Sequence, residues 1–161
     1  MELNEMNMTC KSVLFKAILI DIMYSFRTSI KKLTMSNIDI KLGKIRFTPI
    51  ESDGIKVVAR IKNLVGGKIT CLFDTNLIKF VKTHSTLSEP IETLALDFFD
   101  TFSSMSKNGL IRLSDNIETS DTWNDAVYYI SFDIKIFYMG QVIPSKLIIS
   151  IDEITAMYFK N

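Results

Sequence analysis

Thr93, Asp97, Asp100 and Ser104 stand at i, i+4, i+7 and i+11 in one stretch of the chain. On a helix that spacing sets them in a single polar line, since surface neighbours lie three and four residues apart. Two carboxylates one turn apart can orient a water, carry a proton or receive a basic group from a partner. Hydroxyls above and below would add hydrogen bonds to either task. Asp97 and Asp100 are therefore the candidate catalytic pair. Thr93, Asp97, Asp100 and Ser104 together are the candidate partner-binding set. The same spacing also describes the wetted face of an ordinary amphipathic helix, and from spacing alone both readings stand.

Little else in the sequence invites chemistry. Cys10 and Cys71 lack a CxxC spacing, so they read as two reduced, buried thiols, and a cytoplasmic location is expected. A nucleophilic cysteine needs a base and an orienting partner. The one histidine, His84, falls in the polar stretch Lys82–Ser88 and reads as a surface loop residue. One histidine and two distant cysteines make no zinc set, and neither a metal nor a cofactor is expected. Gly66-Gly67 lies between two alternating stretches, as a hairpin turn does, and not between strand and helix as a phosphate-cradling loop would. Trp123, just ahead of a strand pattern, reads as a cap on the core, with an exposed partner anchor as the alternative.

Periodicity supplies the elements that must carry the polar line. Phe15, Leu19, Ile22, Phe26, Ile30 and Leu33 recur at three and four. They predict a helix over about Thr9–Thr34, capped by Thr9 or Ser12, with Lys16, Arg27, Lys31 and Lys32 off its apolar face. The period then becomes two: Ile38, Ile40 and Leu42, followed by Ile45 and Phe47 after a change of parity that marks a bulge at Gly43. Alternating strands at Ile55–Ile61 and Ile69–Phe73 flank the turn Val65–Lys68. Asp74 is an N-cap for a short helix carrying Leu77, Ile78 and Val81. Ser88-Glu89-Pro90 opens a second long helix with the apolar face Ile91, Leu94, Ala95, Phe98, Phe102 and Met105, and Asn108-Gly109 ends it. Leu110–Leu113 reads as a short strand and Ser114–Asp125 as a polar excursion. Tyr128–Tyr138 alternates most strictly, and Gly140-Gln141 turns it into a last strand over Val142–Ile151. Residues 152–159 suit one closing helical turn. No internal repeat, linker or low-complexity tract is visible.

The order α-βββ-α-α-β-ββ defines an α+β fold, two long helices packed on one face of an antiparallel sheet. At 161 residues, 47% hydrophobic and 23% charged, the chain suits a single domain over 1–161 and is too apolar for disorder. Nineteen basic against eighteen acidic residues leave a net charge of +1, without the basic excess of a nucleic-acid binder. Val13–Phe26 is apolar but carries Lys16 and Asp21, and it is shorter than the roughly 20 residues a spanning helix needs. Glu2 and Glu5 precede it where a secretory leader would be positive. Neither nucleic acid nor membrane insertion is expected.

A leading amphipathic helix precedes Gly54-Ile55-Lys56-Val57-Val58-Ala59-Arg60-Ile61 and Gly66-Gly67-Lys68-Ile69-Thr70-Cys71-Leu72-Phe73. A short helix, a long helix and a long β-hairpin follow. This pattern resembles the CheC/CheX/FliM-middle-domain family of bacterial chemotaxis and flagellar-switch proteins over roughly residues 12–151. The resemblance implies that, in the phosphatase members, the long helix carries a D/S-x3-E-x2-N signature that removes phosphate from the aspartyl phosphate of the response regulator CheY. There the Glu anchors a regulator lysine and the Asn orients the attacking water. Here Thr93 stands at the Asp/Ser position, Asp97 at the Glu and Asp100 at the Asn, with the small Ser103 and Ser104 following.

The departures count against catalysis. Asp97 is one methylene shorter than Glu. Asp100 places a carboxylate, without an amide's donors, beside what would be a phosphoryl group. The repulsion is about 1 kcal/mol or more at contact distance even in high dielectric. The first helix shows Asp21-Ile22-Met23-Tyr24 where some members carry a second Glu/Asn pair. The resemblance thus implies a non-catalytic or weakly catalytic protein-binding domain of chemotaxis or flagellar/secretion assembly. It would be a homodimer that binds a CheY-type receiver domain or a ring partner, and any activity it kept would be that of a response-regulator aspartyl-phosphate phosphatase. The alternative is a structural assembly subunit, of a secretion ring or a phage or viral particle, with no regulator partner. In that case the strand 127–138 would pair edge to edge.

Overall fold

A computed structural model describes residues 13–105, 113–123 and 126–160. The chain runs α1 (Val13–Thr34), β1 (Asn37–Arg46), β2 (Gly54–Ile61), β3 (Lys68–Asp74), α2 (Thr75–His84), α3 (Pro90–Met105), β4 (Leu113–Ser120), β5 (Ala126–Tyr138), β6 (Gln141–Asp152) and α4 (Glu153–Lys160). The fold is the expected α+β arrangement in the expected order, closed by a helix of two turns where one was read. Cys10, the caps Thr9 and Ser12 and the stop at Asn108-Gly109 lie outside the described residues.

The six strands form one antiparallel sheet in the order β1-β5-β6-β3-β2-β4. Its period-two pattern sends Val57, Phe73, Ile130, Phe132 and Ile149 to one face, where Phe26, Leu77, Leu94 and Phe98 of the helices meet them in a single core. Full burial of one such side chain contributes about 1.5–3 kcal/mol. On the other face Leu72 and Ile148 are also fully buried. Near them Trp123 stands edge-on to Tyr129 at 5.4 Å between centroids, with the Lys56 ammonium 5.1 Å from its ring. Trp123 is thus a cap on the sheet. The parity change at Gly43 is a bulge, the β1–β5 register slipping between Leu42 and Ile45.

The strand order reads the same from both ends once β1, β2 and β3 are exchanged for β4, β5 and β6. The chain is therefore two α-βββ-α halves related by an approximate two-fold, a repeat that the sequence conceals. Matching the hairpins pairs Asp74 with Asp152 and Phe73 with Ile151. Both aspartates cap the helix that follows: Asp74 Oδ1 accepts from the Leu77 N–H at 2.9 Å and Asp152 Oδ1 from the Thr155 N–H at 3.0 Å.

Three readings need correction. Ser114–Ser120 is not an excursion but most of β4, paired with β2 through Val57↔Thr119 and Ala59↔Ile117. Among the described residues it is an edge strand, and a polar composition guards such an edge. The strand 127–138 cannot pair edge to edge, because β1 and β6 already occupy both its sides; among the described residues the sheet's edges are β1 and β4. The β5–β6 turn is Met139-Gly140, both at positive φ, with Tyr138 opposite Gln141, the conformation that the right-handed twist of a two-residue hairpin favours.

Candidate functional site

The two long helices pack against each other, and α1 brings small residues to the contact. Ser25 and Ser29, one turn apart, are fully buried. Between them Phe26 stacks on Phe73 at 6.0 Å and meets Phe98 of α3 edge-on at 5.2 Å. Ser25 Oγ points at Met105 Sδ, 3.1 Å away. This contact fixes the rotation of α3 and sets the polar line at the rim of the helix pair.

All four predicted residues lie on α3, and the structure gives each a different fate. Asp97 reaches across to α1, where its Oδ2 accepts from Ser29 Oγ at 2.6 Å and its Oδ1 from Lys32 Nζ at 2.8 Å. Its side chain is 16% exposed, against 68% for Lys32. The hydrogen bond to Asp97, then the charges of Asp97 and Asp100, hold the Lys32 ammonium above its ordinary value. Lys32 also sits in the last turn of α1, where the helix dipole favours a cation. Asp100, one turn beyond Asp97, is exposed. The two hydroxyls are turned back onto their own helix: Thr93 Oγ1 donates to the Glu89 carbonyl at 2.8 Å and Ser104 Oγ to that of Asp100 at 3.0 Å.

Asp97 therefore works as a clamp between helices, and Asp100 is the carboxylate turned to solvent. Ser29 and Lys32 are the site residues that the polar line on α3 did not disclose. A signal was present: Ser25, Ser29 and Lys32 repeat on α1 the i, i+4, i+7 spacing of Thr93, Asp97 and Asp100.

The remaining candidates settle into structural roles. Cys71 is fully buried in β3, and burial pushes its thiol well above the ordinary range. His84 is not a loop residue. It ends α2, its ring 4.5 Å from Phe80 and 4.1 Å from Tyr138 between centroids. Its apolar ring faces are worth more in that cluster than in water. Among the described residues, no three of His, Cys, Asp and Glu gather as a metal site would require, and no helix is long and apolar enough to cross a membrane.

An antiparallel sheet of two interleaved α-βββ-α halves, backed by a pair of long helices, is the CheC/CheX/FliM-like fold of chemotaxis and flagellar-switch proteins. Solved structures agree. The FliM middle domain from H. pylori matches with a TM-score of 0.60 at 12% identity, over 91% of this chain and 94% of that one. The FliM middle domain from Vibrio alginolyticus matches at 0.61 and 9%, over 89% and 96%. The chemotaxis protein CheX from Desulfovibrio desulfuricans matches at 0.53 and 9%, over 84% and 99%. By sequence, no protein-family model and no curated protein matches the chain.

Proposed function

We propose that the chain acts as a single CheC/CheX/FliM-like protein-binding domain in bacterial chemotaxis or in flagellar or secretion assembly. It works in the cytoplasm as a homodimer and docks a CheY-type receiver domain or a ring partner along the α3 line. The observation that carries the non-catalytic reading is the Asp97 clamp. Its two oxygens are engaged by Ser29 and Lys32, so the group matching the family's lysine anchor already holds a lysine of its own chain. Asp100 lacks the amide donors that would orient a water beside a phosphoryl group. What it offers is an exposed negative charge for a basic residue of a partner. Solved FliM structures that resemble this one include complexes with FliG and with SpeE, which supports a protein-docking role.

The test is to mix the protein with a phosphorylated CheY-type receiver domain and follow binding and dephosphorylation separately. Binding without acceleration of phosphate loss is expected, with Asp100→Lys weakening it. Asp97→Glu/Asp100→Asn with Lys32→Ala restores the Glu and the Asn of the signature and releases the internal competitor. If the unaltered chain speeds phosphate loss, the non-catalytic reading falls. If it binds no receiver of its host, the regulator-binding version falls.

A structural subunit of a larger assembly remains the second reading, favoured by the same consumption of Asp97 within the chain. Light scattering over a concentration series separates a closed dimer from a large ordered oligomer, and only the latter supports it.

A further inference from the structure

The two halves differ at one corner, and the difference points to a ligand. The registers that relate them put Ile55 of β2 in the place of Tyr128 of β5. They put Asp121, next after Ser120, in the place of Phe47, next after Arg46. In the β1–β5 corner the ring of Tyr128 is buried and the half-exposed Phe47 packs over it at 5.0 Å between centroids. The β2–β4 corner has no ring at those positions. There Ile55, Ile91 and Ile117 are only half-buried. With Val57, Thr119 and Glu92 they line an open groove of about 330 Å³ between the start of α3 and the strands. That volume is in the range of ligand pockets, ~300–1,000 Å³.

The lip of the groove is acidic. Glu89 and Glu92 are both exposed. They stand close enough for a hydrogen bond between them, which, with the charge of Glu89, holds the Glu92 carboxyl above its ordinary value. Two like charges held together gain from a cation set against them, and the fold itself shows what fills the matching space in its other half.

We propose that this groove docks a partner peptide presenting an aromatic side chain flanked by lysine or arginine. The ring takes the place that Tyr128 fills, under Phe47, in the twin corner, and the basic groups meet Glu89 and Glu92. The chain's own first twelve residues hold no aromatic ring and include Glu2 and Glu5, which suits them poorly to this lip. The site lies apart from the Asp97 clamp and stands whether or not the α3 line binds a receiver.

The test is a methyl NMR titration of the full chain with the tripeptide acetyl-Lys-Phe-Lys-amide, using acetyl-Lys-Ala-Lys-amide and acetyl-Glu-Phe-Glu-amide as controls. Saturable shifts of the Ile55, Ile91 and Ile117 methyls are expected with the first, and about tenfold weaker binding with each control. Ile55→Tyr installs the twin's residue and should fill the groove and remove the response. The surface variant Glu89→Gln/Glu92→Gln, which leaves the core untouched, should bring the Lys-Phe-Lys and Glu-Phe-Glu peptides to equal affinity. Absence of saturable shifts, an equal response to all three peptides, or full binding by either variant overturns the proposal. So does binding that appears only once residues 1–12 are removed, because the groove would then belong to the chain's own N-terminal segment.

Discussion

Asp97→Ala removes one acceptor and strands two donors, and the two differ greatly in what they lose. Ser29 is fully buried, so its hydroxyl is left unpaired in a dry contact, at about 1–3 kcal/mol. Lys32, with 68% of its side chain exposed, returns to water at little cost. The loss should therefore be about 2 kcal/mol and should come from the serine. Ser29→Ala removes the donor instead and leaves Asp97 with Lys32, so it should cost nearer ~1 kcal/mol. Once Ser29 is alanine, Asp97→Ala strands no buried group, so the double variant should be no less stable than Asp97→Ala alone. The coupling is about 1 kcal/mol. Urea unfolding reads it directly: with m of roughly 1–3 kcal/mol/M, a 2 kcal/mol loss moves the midpoint by about 1 M at unchanged m. If the two single costs add to within ~0.5 kcal/mol, Ser29 and Asp97 do not act as one hydrogen-bonded unit.

The hydrogen bond and charge of Asp97 hold the Lys32 ammonium above the usual lysine range in the folded chain. A raised value contributes stability that is complete below the unfolded pKa and is lost as pH climbs through the folded one. The stability gap between the native protein and Lys32→Met should hold level from pH 7 to about pH 10 and close above that; a gap that closes well below pH 10 contradicts the pairing. Asp74 uses both oxygens, Oδ1 for the Leu77 N–H and Oδ2 for the Lys146 N–H at 3.0 Å. Asp74→Asn can satisfy only one and sets an amide donor against the other, so thermal or urea unfolding should show a loss of about 1–2 kcal/mol. A stabilised Asp74→Asn would mean that relief of its burial outweighs the two bonds. A Cβ on Gly43 would meet Ser131 Oγ at 2.7 Å and the Ser131 carbonyl at 3.0 Å. Gly43→Ala should cost about 1–3 kcal/mol in the same assay, and a neutral result would show that the bulge can open. In a Cys10→Ser background, Cys71 should resist a thiol reagent until the chain unfolds, and rapid labelling would contradict its burial.

What could be read from the residues were the features set by neighbours in sequence. The Asp74 cap, the bulge at Gly43 and the period change after α1 are all encoded within a few positions. The polar line was equally local, and its residues do share one side of α3. What Asp97 does was not legible, because its donors Ser29 and Lys32 lie 65 or more positions away and on a helix read only for its apolar face. Strand β4 escaped because an edge strand needs few apolar residues. The duplication escaped because its halves keep the caps Asp74 and Asp152 while replacing Tyr128 by Ile55 and Phe47 by Asp121.

The interleaving of the halves also sets an order of events in time. Ile40 of β1 lies opposite Ile134 of β5, and among the described residues β1 has no other partner in the sheet. At roughly 5–20 residues per second of synthesis, the first strand waits about 5–20 s for the hairpin that will receive it. Through that interval Ile38, Ile40 and Ile45 stand beside two unpaired backbone edges, the combination that recruits other chains. A nascent chain of this design needs either a chaperone or a slow, late collapse in which both halves close at once.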